Sequence, residues 1–263
     1  MIPRRYIIEW KEYAPWLNDG QVEQDLVIER ALVQLFSDPL LKEQLAFRGG
    51  TALHKIFLKP QVRYSEDIDL VQIAKGPIGP ILDAIRKQLE FLGAKGRFKV
   101  NDNMNTVTYR FESEMPPVIN LRLKIEINCR EHFTVFGHHE IQHSLKNGWF
   151  SGSCGITSYV LEELLSTKLR ALYQRKKGRD LFDLYYALKN LDVDTDKVVE
   201  AYKEYMAFSV DQPPSQKEFI QNMEQKKEDP GFGGDIYALL RPGIEYNQQT
   251  AFELVRTEII EKI

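Results

Sequence analysis

Cysteine is nearly absent from this chain: its 263 residues contain only Cys129 and Cys154. That excludes a disulfide framework and makes a reducing compartment the default. Long hydrophobic runs are missing as well. Behind Arg4 and Arg5, the opening MIPRRYIIEW has no sustained apolar stretch of the kind a signal peptide needs. These absences point to a cytoplasmic protein with no membrane partner. A surplus of positive charge is lacking too, since 35 Lys and Arg face 38 Asp and Glu for a formal net charge of -3. A nucleic-acid partner would therefore have to be held by a local basic patch. Neither internal repeats nor low-complexity tracts are visible. The length allows one large domain or two modest ones.

Hydrophobic spacing supplies the elements. A helix is expected over 21–36, and Ser37-Asp38-Pro39 caps and starts a short second one. Leu45 to Phe47 reads as a strand, Ala52 to Leu58 as a helix, and Ser65 to Ile73 as the next strand. The segment 78–92 carries Ile81, Ile85, Leu89 and Leu92 on one helical stripe. Phe98 to Val100 and Asn105 to Glu112 form a predicted hairpin around Asn101-Asp102-Asn103. Leu121 to Asn128 alternates cleanly, with Leu121, Leu123, Ile125 and Ile127 on one face and Arg122, Lys124 and Glu126 on the other.

Beyond the glycine- and serine-rich Gly148 to Gly155 the pattern turns helical, at 160–174, 180–190, 196–208, 215–225 and 248–262. The segment Lys226 to Gly234 reads as a mobile loop. A seam at the glycine-rich stretch divides the chain into an expected core, 1–150, and a helical domain, 151–263.

Two stretches carry chemistry. In RGGTALHKIF, Gly49 and Gly50 permit a close backbone approach to an anion, and the helix opening near Thr51 directs free N–H groups at it. In RYSEDIDL, Asp67 and Asp69 are two apart on a strand and project from one face with Ser65, while Ile68 and Leu70 turn to the core. A solvated face accounts for one Asp more easily than for two, because like charges on one face repel. Two hard oxygen ligands suit Mg²⁺ bridging to phosphates, with one ion or two, so the pair reads as the metal and catalytic site for a nucleoside triphosphate. Lys55, in the helix after the glycines, and Ser65, beside the Asp pair, join the expected nucleotide-binding residues. Glu126 is either a third carboxylate at that site, as metal ligand or general base, or half of a Lys124–Glu126 pair on a wet face.

LEELLSTKLRALYQRKKGRDLFDLYYALKN is the second block. Leu161, Leu165, Lys168 and Leu172 share a helical seam, so Lys168 either snorkels or holds a phosphate. Asp180 opens the next helix, as an N-cap or as a catalytic acid. Arg175, Lys176, Lys177 and Arg179 form the most basic short turn, either solvated or tracking a nucleic-acid backbone. His138, His139 and His143 have only Glu140 to complete a metal pattern, and are not expected to bind one. Tyr185 and Tyr186 fit a core stripe, and Trp10 and Trp16 should pack the N-terminal segment.

Taken in order, GGTALHK, RYSEDIDL, KIEI and KLRALYQRKKGRDLFDLY resemble the AbiEii (MenT-like) nucleotidyltransferase toxins of bacterial type IV toxin–antitoxin systems, over about residues 45 to 190. The resemblance implies an α+β fold with a DNA-polymerase-β-like core, a mixed sheet and a helical C-terminal part. It implies Mg²⁺, an NTP donor, nucleotide transfer to RNA such as the 3′ end of tRNA, and a winged-helix antitoxin encoded nearby. Gly49, Gly50 and Thr51 then match the phosphate motif, Asp67 and Asp69 the metal pair, Lys168 the nucleotide lysine and Asp180 the late acidic residue. Glu126 stands where the wider superfamily often has a third Asp. The alternatives left open are a transferase acting on a protein or small-molecule hydroxyl, and a non-catalytic nucleotide- or RNA-binding module.

Overall fold

Period-two alternation in three consecutive core strands gives the sheet one oily and one polar face, and the rest of the first unit follows from covering the oily one. The computed structural model describes residues 2–263. The chain divides into two compact units, the first ending at Tyr159 and the second running Val160–Ile263.

In the first unit, helices α1 (Arg4–Trp10), α2 (Asp19–Ser37) and α3 (Pro39–Gln44) lead into strand β1 (Leu45–Arg48) and the short helix α4 (Gly49–Ala52). A π-helical turn over Leu53–Phe57 continues α4. Strand β2 (Asp67–Gln72), helix α5 (Gly79–Gln88) and strands β3 (Arg97–Lys99), β4 (Met104–Glu112), β5 (Asn120–Asn128), β6 (His138–Lys146) and β7 (Ser151–Tyr159) complete it. The seven strands are ordered β3-β4-β5-β2-β1-β7-β6. The β2–β5 and β1–β7 pairs are parallel and the others antiparallel, so the sheet is mixed. Ile68, Leu70, Leu123, Ile125, Ile127, Val107 and Phe47 are all buried on the oily face. That face is covered by α2, whose side chains are buried through most of its length.

Several expectations need correction. The glycine- and serine-rich stretch is the turn and second strand of the β6–β7 hairpin, and neither strand was foreseen. Its small residues serve close approach: a Cβ at Gly152 would press on Val33 of α2, and one at Gly155 would overlap the Glu140 side chain. Ser158 is small enough to be fully buried and donate to the Phe47 carbonyl at 2.7 Å.

The second unit is helical: α6 (Leu161–Gln174), α7 (Gly178–Asn190), α8 (Thr195–Ser209), α9 (Gln216–Lys227), α10 (Pro230–Gly234) and α11 (Gln248–Glu258). The expected loop at 226–234 is instead the end of α9 and the turn α10. Lys226 is buried there, and its ammonium donates to the Leu172 and Tyr173 carbonyls at the end of α6. A cation on unpaired C-terminal carbonyls satisfies groups the helix leaves open. Tyr185 is buried in α7 among aromatic neighbours that include Tyr246. Trp10 and Trp16 are buried as expected.

Glu23, on α2, is fully buried, and its two carboxylate oxygens accept the Glu114 N–H at 3.1 and 2.9 Å. Burial pushes its carboxyl up to about 7, against the pull of backbone N–H groups. A raised acid pKa means the fold favours the neutral form. Its contribution is therefore complete below the unfolded value near 4.5 and declines as pH rises toward 7. Glu23→Gln should remove that decline. In urea unfolding the variant should gain on the parent between pH 4 and pH 8, whereas a pH-independent difference would show that Glu23 does not titrate in this window.

Candidate active site

The β2–β5 register builds the polar face. Asp67 lies beside Lys124 and Asp69 beside Glu126, and the antiparallel neighbour β4 adds Thr108 and Thr106 to the same two rows. On the other side Arg48 of β1 pairs with Asp69. The Lys124 ammonium is 2.8 Å from Glu126 Oε2 and 3.7 Å from Asp67 Oδ2. Glu126 is thus half of a lysine pair, in the same row of the sheet as Asp69. Burial pushes the Asp67 carboxyl above the usual carboxylate range, Lys124 draws it back, and Glu66 and Glu126 push it up again.

Asp67 Oδ1 is a buried oxygen that accepts no hydrogen bond among the described residues. A buried acceptor without a donor is costly, and a cation is the ligand that relieves a carboxylate in that state. With Asp69 on the same face, the donor set is two hard oxygens, which fits Mg²⁺ completed by phosphate and water. No group of three His, Cys, Asp or Glu side chains is arranged around a metal position among the described residues. Glu126 is engaged by Lys124 rather than gathered with the pair.

The glycines act through space as well as conformation. Gly49 has φ +81, and a Cβ there would overlap Asp69 Oδ2. The backbone of the motif thus lies directly against a carboxylate of the pair. Thr51 is buried, its hydroxyl 2.7 Å from Ser65 Oγ and donating to the Asp67 carbonyl. Thr51 and Ser65 therefore tie α4 to the entry of β2, a structural use of residues expected to touch nucleotide.

Lys55 is placed elsewhere. It is 3% exposed, with its ammonium 2.6 Å from Asp25 Oδ1 and 3.0 Å from Glu29 Oε1 of α2. Trp10 Nε1 donates to the other Asp25 oxygen at 2.9 Å, and a ring nitrogen of His143 lies 2.7 Å from Glu29. His143 thus belongs to a buried polar network, not to a histidine cluster.

In the second unit Lys168 is buried, but neither snorkels nor stands open. Its ammonium is 3.1 Å from Asp180 Oδ1 and 2.9 Å from Asp183 Oδ2. Arg175 grips Asp180 from Nε and Nη2 at 2.7 and 2.8 Å. Burial pushes Asp180 upward, yet Lys168 and Arg175 hold its carboxyl below the usual range. Asp180 sits in the first turn of α7 behind Lys177, which is the N-cap. The rest of the basic turn is compensated too. Lys176 lies 3.1 Å from Asp229, and Lys177 and Arg179 are 3.5 and 3.6 Å from Asp235.

Arg48, Glu131 and Asp183 were not singled out in the sequence. Arg48 forms a close pair with Glu131, and its signal was its place at the end of β1, next to the glycines. Asp183 follows Asp180 by one helical turn, a spacing that puts both on the Lys168 side.

The family model for the nucleotidyl transferase AbiEii toxin of type IV toxin–antitoxin systems matches residues 30–255. The chain belongs to this AbiEii family. Among solved structures it is similar to MenT4, a nucleotidyltransferase toxin of Mycobacterium tuberculosis H37Rv. The TM-score is 0.69 at 15% identity, covering 100% of this chain and 91% of that one. An antigenic nucleotidyltransferase-like protein from Paracoccidioides brasiliensis matches at a TM-score of 0.42 and 16% identity, over 82% of this chain and 94% of that one. No curated protein matches the chain. The AbiEii enzyme described here is thus an α+β nucleotidyltransferase. Its family is one of type IV toxins, and the TM-score to MenT4 shows the shared fold.

Two substitutions probe this arrangement. Gly49→Ala forces a side chain onto Asp69 at a left-handed backbone position. Nucleotide transfer should fall at least tenfold and the melting temperature should drop, by strain of about 1–3 kcal/mol. Unchanged activity would show that the approach of Gly49 to Asp69 is incidental. Lys55→Met leaves Asp25 and Glu29 buried without their shared cation and should cost about 3–5 kcal/mol in urea unfolding. A variant of full stability that has lost only NTP affinity would restore Lys55 to the nucleotide.

Proposed function

We propose that this AbiEii enzyme transfers a nucleoside monophosphate from an NTP to the terminal hydroxyl of an RNA, with the 3′ end of tRNA as the leading acceptor. The observation that carries this reading is the buried Asp67 Oδ1, which accepts no hydrogen bond among the described residues, on the same strand face as Asp69, against which the Gly49 backbone lies. A divalent cation such as Mg²⁺ held by Asp67 and Asp69 would neutralise triphosphate charge and stabilise the departing pyrophosphate.

The chain's own groups supply the rest. The backbone at Gly49 and Gly50 brings the phosphates down onto the carboxylate face, where Arg48 and Lys124 add positive charge. The acceptor oxygen attacks the α-phosphorus in line, the bond to the bridging oxygen breaks, and pyrophosphate leaves with that electron pair. The Glu126 carboxylate, in the row of Asp69, takes the proton released by the acceptor hydroxyl. An antitoxin partner is in keeping with the family, and a reducing, cytoplasmic setting with the two free cysteines. Among the described residues no helix is long and apolar enough to cross a membrane.

Purified protein incubated with each α-labelled NTP, Mg²⁺ and total RNA should label RNA near tRNA length. Asp67→Asn and Asp69→Asn should each abolish labelling. Without metal, Asp67→Asn should melt at the same temperature or higher, because it removes a partly desolvated charge from a like-charged pair. Labelling that survives in both variants would end the assignment of the pair.

A further inference from the structure

The register that aligns the carboxylates continues outward across two more strands. Asp69, Glu126, Thr106 and Lys99 form one row, and Asp67, Lys124, Thr108 and Arg97 the next. One step further along β4, Arg110 pairs with Arg122. Arg97, Lys99 and Arg110 are all exposed, and none has a carboxylate within 4 Å among the described residues. Among the described residues Arg122 has only Glu66 as an acidic partner, at 3.6 Å. Like charges directly opposite on neighbouring strands disfavour the sheet, and their persistence suggests an anion that offsets them. The basic turn at 175–179 differs, because each cation there already faces an aspartate.

We propose that the open face of β3, β4 and β5 binds the acceptor RNA, with Arg97, Lys99 and Arg110 contacting phosphates on the path to the Asp67–Asp69 centre. The inference rests on the reading of that pair as the transfer centre. From β2 to β3 the rows span three strand spacings, about 14 Å, and Arg97 and Lys99 stand about 7 Å apart along their strand. A strand of RNA running along the rows would thus meet several cations before its end reaches the carboxylates. The Thr106 and Thr108 hydroxyls lie between, as donors to phosphate or ribose. Compensating charges elsewhere explain how a chain of net charge -3 can present such a patch.

The test is fluorescence anisotropy with a labelled RNA oligonucleotide, without NTP, over a range of salt. Combined Arg97→Ala, Lys99→Ala and Arg110→Ala should weaken binding at least tenfold at low salt. It should also flatten the log–log salt slope by about two units, at roughly 0.7 per lost contact. NTP affinity and melting temperature should stay as in the parent, and Lys176→Ala with Lys177→Ala should change RNA affinity less than twofold. RNA curves that superimpose for parent and triple variant would overturn the proposal. So would an equal loss of binding to poly-glutamate with none to RNA, which would indicate an acidic protein partner. The two readings fail separately: persistent transfer in Asp67→Asn and Asp69→Asn removes the centre, whereas undiminished RNA binding by the triple variant removes the path.

Discussion

Everything at the polar face depends on the parallel register of β2 on β5. It sets Asp67 beside Lys124 and Asp69 beside Glu126 while Ile68 and Ile125, and Leu70 and Ile127, meet on the opposite face. A slip of one residue would exchange the two sets, burying two carboxylates under α2 and exposing the core. The apolar residues therefore do more than stabilise the sheet. Their burial fixes which charged groups face one another, and the burial is steep enough to hold like charges side by side.

Positive charge in this protein falls into three states, and the distinction guides the functional reading. Lys55 and Lys168 are buried and shared between two acids each, so they organise their own helices. Arg175, Lys176, Lys177 and Arg179 are partly exposed but locally answered by acids. Arg97, Lys99 and Arg110 are exposed without such an answer among the described residues. Only the last class has its attraction unspent, since an exposed pair already formed yields little further energy when a new anion arrives. Counting basic residues along the chain gives the turn at 175–179 first place, and pairing in space reverses that order.

What the sequence revealed follows the range of the underlying interaction. The Asp pair, the alternation of β5 and the helical stripe of α6 are local periodicities, so they were legible, as was the cap at Asp38. The hairpin β6–β7 was not, because His138, Glu140 and Gln142 alternate with His139, Ile141 and His143, a set too polar to show the period. Gly152 and Gly155 read as a break when they are small for contact. Lys55 shows the same limit. Beside two glycines and a threonine it resembles a phosphate ligand, and nothing local announces that Asp25 and Glu29 lie over it. Likewise Lys168 on its apolar seam was visible, but its aspartates belong to a different helix.

The position of Lys124 bears on how the carboxylate face tolerates its own repulsion. Its ammonium lies between Glu126 and Asp67 and offsets part of the repulsion among the acids. The offset is incomplete, since Asp67 Oδ1 still accepts no hydrogen bond among the described residues and its carboxyl is still raised by burial. Each of these pairs is about a quarter to a third exposed, with side chains at 26, 27 and 30%. Partly exposed pairs are worth only about 0–1 kcal/mol. A lysine held so weakly can yield to a divalent ion or swing toward a phosphate without loss of the fold. The buried Asp25–Lys55–Glu29 cluster could not yield in that way, because moving its cation strands two desolvated carboxylates. The protein thus places its costly charges where they fix the glycine turn to α2, and its weakly held ones on the carboxylate face that the proposed reading assigns to substrate.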